Sequence, residues 1–342
     1  MTKKDIIVIG ASSGGIEALR ELFAKLPKGF PGSIFVVVHT APNAPGLLGE
    51  VFHRAGDLPA ALPRNNEKIM PGRIYVAPPD QHLILEPGIV RLTRGPKENR
   101  FRPAVDPLFR SAAQVYGPRA VGVILSGGLD DGTAGMMAIK QLGGVTIVQD
   151  PNEAYNPSMP LNAINHVKID YVLPVARIAP LLVELTNATA EQKGERHVPE
   201  DIKIEINIAK EDNALQAGVN KLGLPSSYAC PECHGVLLKM KQEGQLRFRC
   251  HTGHAYSFES LLLELGESVE EALWNAIRSI EETYLLLTHL SEHLREQKDH
   301  EHAERLRKLA QSAHNRSNLI RQALVHPGPL AVEELIKGTE NP

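Results

Sequence analysis

Short runs of β-branched and aliphatic residues recur through the first 190 positions, separated by stretches whose apolar residues return at helical spacing. That alternation predicts βαβ units around a mostly parallel, doubly wound sheet. Strands are expected at Asp5 to Gly10, Ile34 to His39, Ala120 to Ser126 and Val145 to Gln149. Helices are expected at Gly15 to Lys25, Asp106 to Val115, Gly132 to Gln141 and Ile178 to Leu185. The first two strands are almost wholly apolar, as befits central strands covered on both faces. Residues 72 to 94 read differently. Short strands around Ile74, Ile84 and Val90, joined by Pro-Pro-Asp and Glu-Pro-Gly turns, predict an antiparallel hairpin inserted into the α/β domain.

After this 1–190 domain, residues 191–225 are polar with no sustained apolar period and are read as a linker. A compact Cys/His segment follows at 226–256. Beyond it, Val269, Leu273, Ala276, Ile280, Tyr284, Leu287 and Leu294 repeat at helical spacing, as do His302, Leu306, Leu309, Ala313, Ile320 and Leu324. Two antiparallel helices over 257–326 would bury those stripes together. Residues 327–342, interrupted by Pro and Gly, read as a loose tail.

The composition changes the picture mainly by exclusion. With 342 residues, 42% hydrophobic and 23% charged, the chain is long enough for one large domain and a smaller module. A net charge of -3 gives no electrostatic footprint for nucleic acid. The apolar run near the N-terminus breaks at Gly10, too short for a signal-peptide core or a membrane span, so a cytoplasmic protein is expected. The helical region from Ala255 carries 15 acidic and 9 basic residues, which argues against membrane-surface binding and for a protein partner or self-association.

Candidate chemistry begins at Gly10-Ala11-Ser12-Ser13-Gly14, where small residues permit a sharp turn from strand into helix and expose a hydroxyl. The helix start also offers backbone N–H groups for an oxyanion or a phosphate. A dinucleotide site is disfavoured, because Ser12 stands where the second glycine of that fingerprint belongs and no acidic residue ends the second strand. That strand ends in His39. A third strand runs into Ser-Gly-Gly-Leu-Asp130-Asp131, so the carboxyl edge of a parallel sheet would gather Ser12, His39 and one of two aspartates. An imidazole that takes the serine proton, oriented by a carboxylate, is what makes a hydroxyl nucleophilic. Helix capping is the plainer role for the second aspartate.

All three cysteines lie in one window, Cys230-x2-Cys233, sixteen residues, then Cys250-x3-His254. This is zinc-ribbon spacing, and Cys230, Cys233, Cys250 and His254 supply four protein ligands, a closed structural site. His234 and His251 are alternative fourth ligands.

IGASSGGIEAL, VVVHTAP, IYVAPPDQHLIL, RFRPAVDPLF, GVILSGGLDDGTAGM and QDPNEAYNPSMPLNAI, in this order, resemble the successive motifs of the catalytic domain of chemotaxis-type protein-glutamate methylesterases. The resemblance implies a serine esterase with Ser12 as nucleophile, His39 as base and Asp131 as orienting acid, and it leaves Asp130 outside the triad. It needs no catalytic cofactor. Its reaction is hydrolysis of glutamyl γ-methyl esters on chemoreceptors or related signalling proteins, with deamidation of certain glutamines. Ser13 and Gly128 fall where oxyanion donors are expected, although family members often carry Met at the position of Gly128. Met159, with Pro160, falls in the segment that resembles the family's cleft wall, and a proline at a helix start accounts for the pair equally well. Arg102 and Asp106 are expected to form a structural ion pair, with contact to substrate as the alternative reading. Family members commonly carry a receiver domain ahead of the esterase, and the esterase pattern here begins almost at Met1, so control by an attached receiver is not expected. The Cys/His and helical region is similar to an extension of receiver-less homologues. Two other readings remain open: a regulatory binding module without turnover, and an esterase for a small ester.

Overall fold

A computed structural model describes residues 2–190, 197–210, 213–240 and 244–325. Two compact units divide the chain after Ser260. The first is built on a seven-stranded sheet in the spatial order Tyr171–Leu173, Val145–Gln149, Ala120–Ile124, Ile6–Ala11, Ser33–Val38, Ile74–Val76, Ala60–Ala61. Every pairing in it is parallel.

The strands Ile6–Ala11, Ser33–Val38, Ala120–Ile124 and Val145–Gln149 are buried at every position, which explains why they read as continuous apolar runs rather than alternating ones. Helices Gly15–Ala24 and Val175–Asn187 pack one face through Leu19, Leu22, Phe23, Ile178 and Leu182. The other face is covered by Val105–Tyr116 and Thr133–Gln141, through Leu108, Phe109, Met136 and Ile139. Ile74 does not belong to the inserted hairpin. It lies in the parallel sheet beside Ile34, and the antiparallel insertion is His82–Glu86 against Ile89–Thr93, with a two-residue strand at Glu67–Lys68 on its edge.

The stretch expected as a linker departs most from that reading. Residues 200–210 form a helix that buries Ile202, Ile204, Ile206 and Ile208, with Glu205 among them, and Ile202 and Ile206 join the core of the α/β sheet. Residues 214–217 add a further helical turn, and Gly223–Ala229 opens a second sheet. That sheet, Gly223–Ala229, Val236–Met240, Arg247–Cys250 and Ala255–Ser257, is an antiparallel meander carrying the cysteines. It belongs to the same compact unit as the α/β sheet, so the Cys/His segment is not a separate module on a tether.

Helix Phe258–Glu296 crosses into the second unit, where its later turns pair with His300–Val325. The seam between them uses small residues at a seven-residue interval, Ala303, Ala310 and Ser317. Ser291 donates to Ala303 O at 2.8 Å, and Glu281 accepts from Ser317 and Arg321. Val269 and Leu309, expected within the buried stripes, are exposed. The tail expected at 327–342 lies outside the described residues.

Candidate active site

In a parallel sheet all strands present their carboxyl ends to one edge, where α/β proteins place their ligands. Here Ala11 and Val38 are register partners, and His39 N–H donates to Ala11 O at 3.2 Å, so Ser12 and His39 leave the sheet side by side. Ser12 N–H donates to Ser126 O at 2.9 Å, tying the same turn to the end of strand Ala120–Ile124. The turn then needs a left-handed residue, and Gly14 supplies it at φ 75°.

His39 Nε2 lies 2.8 Å from Asp131 Oδ2, with both side chains buried. The other nitrogen, Nδ1, is buried and has no hydrogen-bond partner among the described residues. Phe101 stacks on the imidazole, ring centres 3.7 Å apart and planes within 4°. The Asp131 carboxylate also accepts from Val105 N–H (2.6 Å), Gly132 N–H (2.9 Å) and Asn99 Nδ2 (2.9 Å). Burial pushes its pKa up, but His39 and these donors outweigh burial and hold the carboxyl below its usual value. It is therefore a fixed negative charge against the imidazole.

Its neighbours behave differently. Burial, then the charge of Asp131, pushes Asp106 up to about 7. Asp130, held by Ser257 Oγ (2.7 Å) and Gln245 Nε2 (2.6 Å), is pushed up to about 8 by burial and by Glu259. The adjacent aspartates thus part company. Asp131 faces His39, and Asp130 turns to the cysteine-bearing sheet. Arg102 does not pair with Asp106. It forks onto Asp80 at 2.9 and 2.6 Å, and Asp106 instead accepts from Gly135 N–H and Asn99.

Ser13 is exposed, and its carbonyl accepts from Ser126 Oγ at 2.6 Å. Gly128 is half-buried beside Asn156. Met159, expected in the cleft wall, is fully buried. Its N–H donates to Gly127 O, and a Cβ on Gly127 would meet its Sδ at 2.1 Å and Ser12 Cβ at 2.9 Å. Met159 therefore supports the serine turn from beneath. Beyond Thr40, next to His39, Pro45, Leu47, Leu48, Leu62 and Pro79 line an apolar cavity of about 170 Å³.

The Cys230, Cys233 and Cys250 thiols and His254 Nδ1 lie within 4.8 Å of one another. Neighbouring ligand atoms stand 3.6 to 3.7 Å apart. A tetrahedral ion with metal–sulfur bonds of ~2.3 Å requires edges of about 3.8 Å, so the donor set fits. His251 lies instead against Gly235.

Neither Asn99 nor Phe101 is singled out by the sequence: Asn99 sits just before the RFRPAVD motif and Phe101 is its second residue, in irregular chain that no periodicity marks.

The fold and this edge define a carboxylic ester hydrolase. The CheB methylesterase family pattern matches residues 7–182. The chain belongs to that family. A protein of Leptospira interrogans, provisionally named protein-glutamate methylesterase/protein-glutamine glutaminase, is 36% identical over 190 residues, covering 55% of this chain and 98% of its own. A protein-glutamate methylesterase/protein-glutamine glutaminase of Anaeromyxobacter dehalogenans is 39% identical over 182 residues, 53% of each chain, so this chain matches only about half of that longer relative. The crystal structure of the Thermotoga maritima CheB methylesterase catalytic domain superposes with a TM-score of 0.51 at 36% identity, covering 54% of this chain and 99% of that one. Among the described residues no helix is long and apolar enough to cross a membrane.

Proposed function

We propose that the chain hydrolyses glutamyl γ-methyl esters on a chemoreceptor or related signalling protein, with Ser12 as nucleophile, His39 as base and Asp131 as the acid that orients it. The observation carrying this reading is the buried 2.8 Å contact between His39 Nε2 and Asp131, which leaves Nδ1 as the nitrogen open to a proton at the strand end beside Ser12. Nδ1 takes the Ser12 proton as Oγ attacks the ester carbonyl. The oxyanion forms at the turn before helix Gly15–Ala24, with the N–H groups of Ser13 and Gly128 as donors. Collapse returns the proton to the departing methanol. Water, deprotonated by the same nitrogen, then attacks the acyl-enzyme, and collapse breaks the bond to Ser12 Oγ, returns the proton to that oxygen and releases the free glutamate.

The glutaminase activity in the relatives' names fits the same chemistry, with ammonia leaving instead of methanol. Cys230, Cys233, Cys250 and His254 would hold a zinc ion whose part is structural, since four protein ligands leave no open position. The test is a peptide carrying a glutamyl γ-methyl ester. Wild type should release methanol, and Ser12→Ala should lose at least about a thousandfold in kcat. Equal turnover by the two proteins would overturn the assignment.

A further inference from the structure

The segment Lys97 to Phe101 lies between the cysteine-bearing sheet and the His39–Asp131 pair and touches both. On one side its backbone is stitched to Ala255, the residue after His254: Asn99 N–H donates to Ala255 O at 2.8 Å, and Ala255 N–H donates to Lys97 O at 3.2 Å. Ser257 N–H donates to Asn99 Oδ1 at 3.0 Å. Lys97 pairs with Glu232, between two of the cysteines, and Glu98 pairs with Arg249, next to Cys250. On the other side Asn99 Nδ2 donates to Asp131 Oδ1, and Phe101 lies flat on His39.

The conformation is one the segment would not hold unaided. Asn99 and Arg100 have φ of 49° and 76°, two consecutive left-handed residues without a glycine. Below them, His82 is fully buried and braces the following turn, with Nε2 against Pro96 O and Nδ1 accepting from Ala104 N–H. The amide of Asn99 is thus a bridge. Its oxygen is set by the second sheet, and its nitrogen sets the carboxylate.

We infer that Asn99 and Phe101 are positioning residues for the esterase, and that the Cys/His sheet fixes the His39–Asp131 geometry through them. The inference rests on the triad reading above. It makes the cysteine-bearing sheet a working part of the active site rather than an appendage.

The full chain is assayed with the same methyl-ester peptide and with a fluorophosphonate that labels activated serines. Asn99→Gly keeps the left-handed backbone comfortable while deleting the amide bridge, so it should fold with wild-type circular dichroism. It should lose about 10- to 100-fold in kcat with KM changed less than about twofold, the signature of misplacement rather than of lost binding. Phe101→Leu should behave likewise, and Phe101→Tyr, which restores a stacking ring, should recover most of the rate. In Cys233→Ser, hydrogen exchange should rise across residues 97–105 while helix Gly15–Ala24 stays protected. Wild-type kcat in Asn99→Gly or in Phe101→Leu, an effect confined to KM, or unchanged exchange at 97–105 would overturn the inference. If Ser12→Ala turns over normally or the fluorophosphonate does not label Ser12, the triad reading fails instead, and Ser12→Ala separates the two cases.

Discussion

Glu205 offers a sharp test of how the two sheets of the first unit are held together. It comes from the helix Glu200–Lys210, is 3% exposed, and meets Arg247 through two contacts of 3.0 and 3.2 Å and Arg110 at 3.0 Å. Glu98 completes the cluster with Arg110 and Arg249. For both glutamates burial pushes the pKa up, but the guanidiniums outweigh it and hold each below its ordinary value, so both are charged. Glu205→Gln would leave three buried guanidiniums facing Glu98 and an Asp106 that titrates near 7. Breaking one side of a buried ion network costs about 3–5 kcal/mol, because the surviving charge keeps its desolvation penalty. With a urea slope of about 3 kcal/mol per molar, the midpoint should fall by about 1 M or more. The probe should be near-UV dichroism of the buried Tyr75 and Tyr256, because the single tryptophan, Trp274, belongs to the helical unit. Glu200→Gln on the same helix is the control, since its exposed carboxylate lies 3.9 Å from Lys203 and the change should alter stability by less than about 0.5 kcal/mol. A Glu205→Gln midpoint within about 0.2 M of wild type would refute the network as a determinant of stability.

Gly127→Ala should lose most esterase activity and label poorly with the fluorophosphonate, because its methyl would force Met159 and Ser12 apart; normal labelling would show that the turn can yield. Asp130 binds its proton more tightly folded than unfolded, so the stability it contributes is present below its ordinary value of 3.8 and is lost as pH rises towards about 8. Asp130→Asn should remove up to about 1.4 kcal/mol per pH unit of that decline, read as a flatter plot of melting temperature between pH 4 and 8, and an unchanged slope would count against it. Elemental analysis should find one zinc per chain, and His254→Ala or a strong chelator should lower the unfolding temperature of residues 223–257 by exchange; metal-free protein of equal stability would eliminate the ion.

Much of this architecture is legible along the chain because its central strands bury both faces, and a run such as Val145 to Gln149 has one reading. Ser12, His39 and Asp131 could be gathered by topology alone, since each follows a parallel strand to the same edge. Helix Glu200–Lys210 carries no legible helical signal, for a physical reason. Ile202, Ile204, Ile206 and Ile208 alternate with polar residues at period two, and the helix is buried on more than one side, so no single stripe marks it. Ile74 reads as part of the hairpin because its strand is only three residues long and precedes the hairpin closely. Asn99 owes its importance to Ser257, 158 positions away, a distance that no local pattern spans.

An imidazole exchanges protons at its rim, in the plane of the ring, and the ring of Phe101 lies parallel to that plane in His39. His39 has one rim nitrogen committed to a carboxylate, so a single doorway remains for every proton that enters or leaves. Under the proposed triad, an alcohol departing from the acyl group would collect its proton where the serine surrendered one, from an imidazole stacked on Phe101. Such a device suits leaving groups small enough to come to the ring, and methanol is the smallest alcohol there is.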